Sequence, residues 1–191
     1  ASLILSDGDT RYEVIKEKYF EYDQEIYREI HKVKEKIQNP KDLEKFITEI
    51  KEIERKITLF HAKVIKEVEA EKIDLIGFHG QTIFHSPKDK ISKQLGDAML
   101  LSQLTKQKIV CNFRSNDIKN GGEGAPLTPI FHLLIAKQYE LDLPVCILNI
   151  GGISNLTFIT EPINKLSLIS KDTGPGNCLI DKWLRKNSKK K

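Results

Sequence analysis

Residues 149–159 have the sequence Asn149-Ile150-Gly151-Gly152-Ile153-Ser154-Asn155-Leu156-Thr157-Phe158-Ile159, and further on comes Lys171-Asp172-Thr173-Gly174-Pro175-Gly176-Asn177. The first stretch follows an apolar run from Val145 and predicts a β-hairpin whose Gly-Gly corner has positive φ. Such a corner leaves backbone N–H groups accessible to an anionic ligand. The second stretch places Asp172 before a turn that leads into a helix-like segment, 179–184. Together they indicate phosphoryl transfer, although the hairpin alone is more often plain turn chemistry.

The composition fits an ordinary globular chain without a nucleic-acid partner. Its 191 residues are enough for one domain, or for one domain and the start of another. Lys and Arg number 31 against 27 Asp and Glu, a net charge of +4. Much of the excess lies at the end of the chain, at Lys182, Arg185, Lys186 and Lys189 to Lys191. Because no aromatic residues are interleaved with these charges, we interpret them as a solvated basic end and expect no nucleic acid.

The cysteines predict a reducing environment. Cys111, Cys146 and Cys178 are odd in number and widely separated, with neither metal-ligand spacing nor a disulfide framework.

No stretch is apolar enough to span a bilayer, and no signal peptide is recognisable. We therefore expect a cytoplasmic protein without a membrane partner or a metal-binding cluster. The chain begins with alanine and stops in lysines, so both ends are expected to be cuts.

The first third of the chain has helical periodicity. Between Tyr12 and Lys36 the spacing predicts a helix, with Tyr19, Asp23, Ile26, Ile30, Val33 and Ile37 near one face. Pro40, capped by Asn39, opens a longer amphipathic helix to about Ala70. His61 lies beside its apolar face and is interpreted as a core histidine. These helices are interpreted as scaffold rather than as part of a reactive site.

From Ile73 onward the pattern becomes that of an α/β fold. A buried strand over 73–78 is followed by His79-Gly80-Gln81-Thr82, polar residues suited to a ligand cleft at the carboxyl end of a sheet. The alternative is a loop whose side chains only satisfy backbone groups. Asp97 is the expected N-cap of a helix over 98–105. Strand, polar turn and helix alternate along the chain, which indicates parallel crossovers.

A second polar segment follows the strand predicted at 109–113. Arg114 and Asp117 come directly after it, and a glycine-rich loop covers 120–129. Arg114 can make a forked contact with a carboxylate or a phosphate, and Asp117 can orient a hydroxyl or act as a base. The alternative is a surface Arg–Asp pair. A helix over 130–139 then leads to the strand that begins at Val145.

Five ordered blocks resemble the anhydro-N-acetylmuramic acid kinase family. They are His79-Gly80-Gln81-Thr82, Phe113-Arg114 with Asp117, Gly121-Gly122-Glu123-Gly124-Ala125-Pro126-Leu127, Asn149 to Thr157, and Asp172-Thr173-Gly174-Pro175-Gly176-Asn177. Five blocks in order are far more specific than any one of them. The match is strong from about Asp74 to Trp183 and weaker in the helical segment before it.

The resemblance implies an actin-like (ribonuclease H-like) α/β fold of two domains, with ATP in the cleft between them and Mg²⁺ as its cation. Residues 1–143 would be a partial sugar-binding domain with a helical insertion at 12–70, and 144–191 would start the ATP-binding domain. The implied reaction cleaves the anhydro ring of 1,6-anhydro-N-acetylmuramic acid and phosphorylates its 6-oxygen, giving N-acetylmuramic acid 6-phosphate for peptidoglycan recycling. The resemblance leaves a homodimer open.

The resemblance also assigns roles to individual residues. Asp172 would be the general base that activates a water molecule. Thr82, Gln94 and Asp117 would hold the sugar, and His79, Gln81 and Arg114 would shape the same wall. The ATP phosphates would lie against the glycines of the hairpin and the following turn, Gly151, Gly152, Gly174 and Gly176.

Three departures from the family pattern limit what we expect of this chain alone. No glycine- and serine-rich phosphate hairpin is recognisable between Ala1 and Asp9, the sequence stops shortly after the Asp172 turn, and Lys171 replaces the usual apolar residue. Because phosphoryl transfer depends on positioning and electrostatics, we expect the chain alone to be inactive. A non-catalytic sugar-binding remnant, another actin-like ATPase and a purely structural protein remain alternatives.

Overall fold

The computed structural model describes residues 1–68, 73–161 and 168–188. By contacts the chain divides into two units: Ala1–Leu5 with Glu13–Ala125, and Ser6–Tyr12 with Pro126–Lys191. The domain border predicted between 143 and 144 concerns the domains of a complete kinase and stays a prediction. The contact-based division falls earlier because the helix that begins at Pro129 packs on the strands that follow it. Lys189 to Lys191 of the predicted basic end lie outside the described residues.

The chain begins with a β-hairpin of β1 (Ser2–Ser6) and β2 (Tyr12–Glu17). Its turn is closed by Asp7, whose carboxylate accepts hydrogen bonds from the Thr10 hydroxyl and from the backbone N–H groups of residues 9–11. These bonds, that of the Thr10 hydroxyl first, hold the pKa of Asp7 well below its usual range. The helix predicted from Tyr12 is therefore wrong over 12–23: residues 12–17 pair with the first strand, and the first helix begins only at Gln24.

Three helices follow: α1 (Gln24–Lys36), α2 (Pro40–Lys45) and α3 (Ile47–Val68). Asn39 caps α2 by accepting a hydrogen bond from the Lys41 N–H at 3.0 Å, which confirms the predicted helix start. The continuous helix predicted from Pro40 is interrupted at Phe46, where φ is −106° and ψ is 24°. Its predicted end near Ala70 falls outside the described residues.

The main core of the first unit lies between α1, α3 and a hairpin of β4 (Gln81–Ser86) and β5 (Ile91–Leu95). Its buried side chains are Ile26, Ile30, Val33, Ile37, Ile50, Ile53, Ile57, Ile83 and Leu95. His61 lies at the edge of this packing and donates from Nδ1 to the Ile57 carbonyl oxygen at 2.8 Å. Burial lowers its pKa, as expected for a neutral core histidine.

A parallel pair of short strands, β3 (Ile76–Gly77) and β6 (Ile109–Val110), accompanies the hairpin. The helix α4 (Ala98–Thr105) lies between them in sequence and is capped by Asp97, as predicted. The strand predicted over 109–113 ends at Val110, and Arg114 and Asp117 lie on the helix α5 (Phe113–Lys119). Among the described residues β3 and β6 pair in parallel, whereas the pairs β4–β5, β7–β8 and β8–β9 are antiparallel.

The second unit contains α6 (Pro129–Gln138), a three-stranded antiparallel sheet and α7 (Cys178–Asn187). The sheet has the order β7 (Val145–Ile150), β8 (Ile153–Ile159) and β9 (Leu168–Pro175). Its core forms around Leu133, Ala136 and Ile159. The β-hairpin predicted across Gly151 and Gly152 is confirmed, with Asn149 opposite Asn155.

Cys111, Cys146 and Cys178 are free thiols. Across the described ranges, none of the helices has the length and apolar character needed to cross a membrane.

Candidate functional site

A cavity of about 550 Å³ opens in the first unit between α3, the start of β4 and the end of β5. His79 and Gln94, both assigned to a sugar site by the sequence, line it together with Asp97. Of the polar segment that follows β3, His79 and Gly80 line this cavity, whereas Gln81 and Thr82 do not. Lys51 and Arg55 of α3 also line this cavity, so the helix interpreted as scaffold contributes to the site.

Gly80 brings the two walls of the cavity together. Its φ is +69°, and a Cβ at this position would lie 2.2 Å from the backbone oxygen of Leu95. Only glycine lets the chain turn here and approach the neighbouring strand so closely. The turn holds His79 close to the end of β5, and both His79 and Leu95 contribute to the cavity lining.

Thr82 and Gln94 face each other across the β4–β5 hairpin. The Gln94 side-chain nitrogen Nε2 donates to the Ser92 hydroxyl at 2.8 Å and more weakly to the Thr82 hydroxyl at 3.3 Å. Since both amide hydrogens are directed at these two partners, the Gln94 oxygen Oε1 remains as an acceptor. Gln81 occupies the first position of β4, opposite Leu95, and within the described ranges its side chain makes no hydrogen bond.

His79 and Arg114 are joined by a hydrogen bond, which decides which imidazole nitrogen accepts a hydrogen bond and which donates one. The Arg114 Nε donates to the His79 Nε2 at 2.9 Å, while the His79 Nδ1 lies 2.8 Å from the Gly80 carbonyl oxygen. A guanidinium can only donate and a carbonyl can only accept, so in this arrangement the His79 Nε2 accepts and the His79 Nδ1 donates. Burial of Arg114 lowers the pKa of its guanidinium.

Arg114 and Asp117 hold the same residue of the glycine-rich loop from two sides. The Arg114 Nη1 donates to the Gly124 carbonyl oxygen at 2.9 Å, and the Gly124 N–H donates to the Asp117 Oδ2 at 2.8 Å. The described residues show no ion pair between the two side chains, so the direct Arg–Asp pair considered from the sequence is not what forms. Instead, the two residues fix the loop relative to α5 and leave the Asp117 Oδ1 as an acceptor.

Replacing Arg114 with lysine is expected to loosen this loop, because an ammonium cannot reproduce two contacts made from one planar fork. Losing one of them should cost about 1–2 kcal/mol locally. Hydrogen–deuterium exchange of the backbone amides over 120–125 measures the effect and should speed up about tenfold. Arg28→Lys is the matched control, since among the described residues Arg28 bonds only within its own helix, to the Gln24 carbonyl oxygen. Equal exchange in the two variants would contradict the proposed clamp.

In the second unit, Asp172 lies in β9 opposite Asn155. Its side chain is exposed, and no described residue donates a hydrogen bond to its carboxylate. Asn155 belongs to the hairpin motif, and the resemblance assigns it no role. Its Oδ1 is buried without a hydrogen-bond partner within the described ranges, next to the Asp172 position in the ladder. Asp172 therefore meets a first requirement of a base, a carboxylate that is not already engaged.

The Gly-Gly corner differs from its prediction in backbone conformation. Neither Gly151 nor Gly152 has a positive φ, so the prediction of positive φ at this corner is wrong. The carbonyl oxygens of Gly152 and Gly151 accept hydrogen bonds from the backbone N–H groups of Gly176 and Asn177 at 2.9 and 2.8 Å. A Cβ on Gly176 would lie 2.2 Å from the Gly151 oxygen. The two sequence motifs are thus joined by backbone contacts.

Lys51 and Arg55 are the cavity residues that sequence reasoning missed. Their only signal was a pair of cations one helical turn apart on the polar face of α3, a pattern that most surface helices share. The sequence could identify the apolar face that packs inward, but not what the opposite face approaches.

Comparisons with known proteins place the chain in one family. The family model described as anhydro-N-acetylmuramic acid kinase matches residues 2–191. The enzyme of that name from Pelagibacter ubique (strain HTCC1062) is 53% identical over 194 residues, covering 100% of this chain and 52% of that protein. The one from Rhodopseudomonas palustris is 40% identical over 139 residues, or 70% of this chain and 37% of that protein.

The match also includes the helical segment that resembles the family only weakly by inspection. The enzyme of the same name from Agrobacterium fabrum is 35% identical over 204 residues, covering 99% of this chain and 52% of that protein. The chain spans about half the length of the relatives that it matches from end to end. Since the family model and these relatives cover nearly every residue, the chain belongs to the anhydro-N-acetylmuramic acid kinase family.

Proposed function

We propose that this chain supplies the sugar-binding wall and the catalytic base of a kinase that converts 1,6-anhydro-N-acetylmuramic acid to N-acetylmuramic acid 6-phosphate. The observation that carries the proposal is the 550 Å³ cavity whose lining includes His79 and Gln94. A pocket of this size with a few convergent polar groups fits a small polar molecule such as an amino sugar. Membership of the family supplies the identity of that sugar.

In the first unit, the free hydrogen-bonding groups suit sugar hydroxyls. The Gln94 Oε1 and the Asp117 Oδ1 can each accept a hydrogen bond from a hydroxyl. The other polar atoms of these two side chains, Gln94 Nε2 and Asp117 Oδ2, are already bonded to the Ser92 hydroxyl and to the Gly124 N–H. Thr82 accepts from Gln94 and can donate its own hydroxyl hydrogen. His79 lines the cavity, whereas Gln81 and Arg114 do not; Arg114 acts on this wall through its hydrogen bond to the His79 Nε2, and Gln81 through its place at the start of β4. These residues bind and orient the sugar; they exchange no proton with it.

Asp172 acts as the general base. Its carboxylate takes a proton from a water molecule, whose oxygen forms a bond to the anomeric carbon as the bond from that carbon to O6 breaks. O6 accepts the transferred phosphoryl group, which ATP supplies when bound. A positioned base of this kind contributes about 10²–10⁴-fold to the rate.

The glycines assigned to the ATP phosphates divide into two pairs. A Cβ on Gly152 or Gly174 would meet no other atom within 4 Å, so open space lies beside both and leaves room for a phosphate. Gly151 and Gly176 instead pack against each other and support the corner. Within the described ranges no three His, Cys, Asp or Glu side chains are grouped closely enough for a metal ion, so we assign no Mg²⁺ ligand in this chain.

The proposal includes the actin-like fold, the two-domain organisation with a border near 143/144, a cytoplasmic setting, a homodimer and a place in peptidoglycan recycling. The mixed α/β architecture supports the fold assignment only coarsely. Because the chain spans about half the length of the relatives it matches from end to end, turnover is expected to need the remaining half, and the chain alone is expected to be inactive.

Thermal unfolding tests the binding part of this proposal. The purified chain is melted with and without 1,6-anhydro-N-acetylmuramic acid, with ATP as a separate addition. A ligand at 100 times its Kd stabilises the folded state by about 2.7 kcal/mol, which for a chain of this size raises Tm by several degrees. A rise with the sugar supports the proposal, and Asp172→Asn should give the same rise because a base is not required for binding. No rise with the sugar would contradict it.

A further inference from the structure

Two cations on α3, Lys51 and Arg55, line the same cavity as His79 and Gln94. They are four positions apart in the sequence, so their side chains lie on one face of the helix, with the two Cβ atoms about 5–6 Å apart. The opposite face, with Ile50, Ile53 and Ile57, is buried in the core. The core therefore fixes which way this pair of cations is directed.

Neither cation is used to hold the protein together. The described residues offer Lys51 and Arg55 no ion pair or hydrogen bond, and both are exposed. Glu54, between them in sequence, is instead paired with Lys93 at 2.5 Å, and its side chain is only 16% exposed. Such a contrast on a single helical turn is expected if the two cations serve a ligand.

The charges around the cavity leave an excess of positive charge. The lining contains two cations, Lys51 and Arg55, and two carboxylates, Glu54 and Asp97. Lys93 neutralises Glu54, so three cations face two carboxylates and the net charge is +1. Asp97 is further engaged as the cap of α4, through the Leu100 N–H at 2.9 Å. An anionic group on the ligand would complete the balance.

We propose that Lys51 and Arg55 bind the carboxylate of the lactyl group that distinguishes a muramic acid from other amino sugars. This inference rests on the proposed function and adds which residues select the substrate. A muramic acid carries this carboxylate through an ether on the sugar ring, and it is ionised at neutral pH. An Arg fork and a Lys ammonium are well suited to such a group, since charge-assisted hydrogen bonds are about twice as strong as neutral ones.

The test compares two sugars that differ only in the lactyl group, 1,6-anhydro-N-acetylmuramic acid and 1,6-anhydro-N-acetylglucosamine. Calorimetric titration of the 191-residue chain should give the muramic sugar about tenfold or more tighter binding. In the double variant Lys51→Gln/Arg55→Gln this preference should be lost, while the Kd of the glucosamine sugar should change less than twofold. The single variant Arg55→Lys, in which Lys51 is unaltered, should keep part of the preference for the muramic sugar.

The matched control is Lys63→Gln/Lys66→Gln, which removes the same charge from exposed positions of α3 outside the cavity lining. It should leave both affinities unchanged. Equal loss for the muramic sugar in control and test variants would overturn the inference, because it would be an effect of net charge alone.

Other results separate the inference from the function on which it rests. If the unaltered chain binds both sugars equally, the inference fails and the sugar-binding function stands. If it binds neither sugar, both fail. Inorganic phosphate and ATP are titrated as separate arms: if only these depend on Lys51 and Arg55, the cations serve a phosphate and the inference is overturned.

Discussion

Replacing Asp172 with asparagine is expected to lower the rate of anhydro-sugar phosphorylation by about 10²–10⁴-fold. Asparagine preserves the size of the side chain but cannot accept a proton from water. Asp172 is exposed and free of hydrogen bonds from described residues, so in the proposed mechanism its replacement removes the base without removing a structural contact. The rate is measured with this chain complemented by the part of the Pelagibacter ubique relative outside the matched segment, since the match covers 52% of that protein.

The comparison needs a control acid and a binding measurement. Asp142→Asn removes the same charge from another exposed position of the second unit and should leave the rate within about twofold. The Kd of the sugar should also stay within about twofold in Asp172→Asn, because a base contributes to the transition state and not to ground-state binding. A full rate in Asp172→Asn would mean that another group activates the water.

Caps and turns could be predicted from the sequence, because they depend on residues that are close together in the chain. Asn39 and Pro40 marked a helix start, Asp97 marked another, and Gly151-Gly152 marked a hairpin corner. Each is a cap or a turn, so the relevant contacts lie within a few residues. Such features can be derived from sequence alone because they require no knowledge of the rest of the fold.

Two of the predictions that were wrong concern the pairing of strands. Tyr12–Glu17 has enough Glu, Lys and Ile for a helix, but it pairs with the strand formed by Ser2–Ser6. Strand propensity depends on the partner, so the outcome cannot be decided within the segment. Similarly, the run 109–113 looks like one strand, but pairing with β3 covers only Ile109 and Val110, and Phe113 already begins α5.

The candidate site was predicted as a set of residues, but not as an arrangement. Arg114 and Asp117 were expected to bind a ligand or each other; they do not pair directly but contact Gly124 from both sides, and ligand binding stays a prediction. That geometry depends on how the glycine-rich loop folds back onto α5, which no periodicity reveals. The cations Lys51 and Arg55 were missed because a helix gives information about its apolar face, whereas the surroundings of its polar face depend on tertiary packing.

Gly80→Ala is expected to lower the free energy of unfolding by about 3 kcal/mol or more. Two costs add: the strain of a positive φ in a residue with a side chain, and a Cβ only 2.2 Å from the backbone oxygen of Leu95. That oxygen belongs to a strand residue whose side chain is fully buried, with 0% exposure, so it cannot move aside without disturbing the core. Urea unfolding followed by circular dichroism measures the loss.

Gly121→Ala separates the two costs. Gly121 also has a positive φ, +91°, but a Cβ there would meet no atom within 4 Å. It should therefore lose only the strain, about 1–2 kcal/mol. The difference between the two variants isolates the close approach of Gly80 to Leu95, which holds His79 near the end of β5. If both variants lost the same stability, the backbone around Gly80 and Leu95 would have room for a Cβ. The cavity wall formed by His79 and Gln94 would then not depend on a glycine at this position.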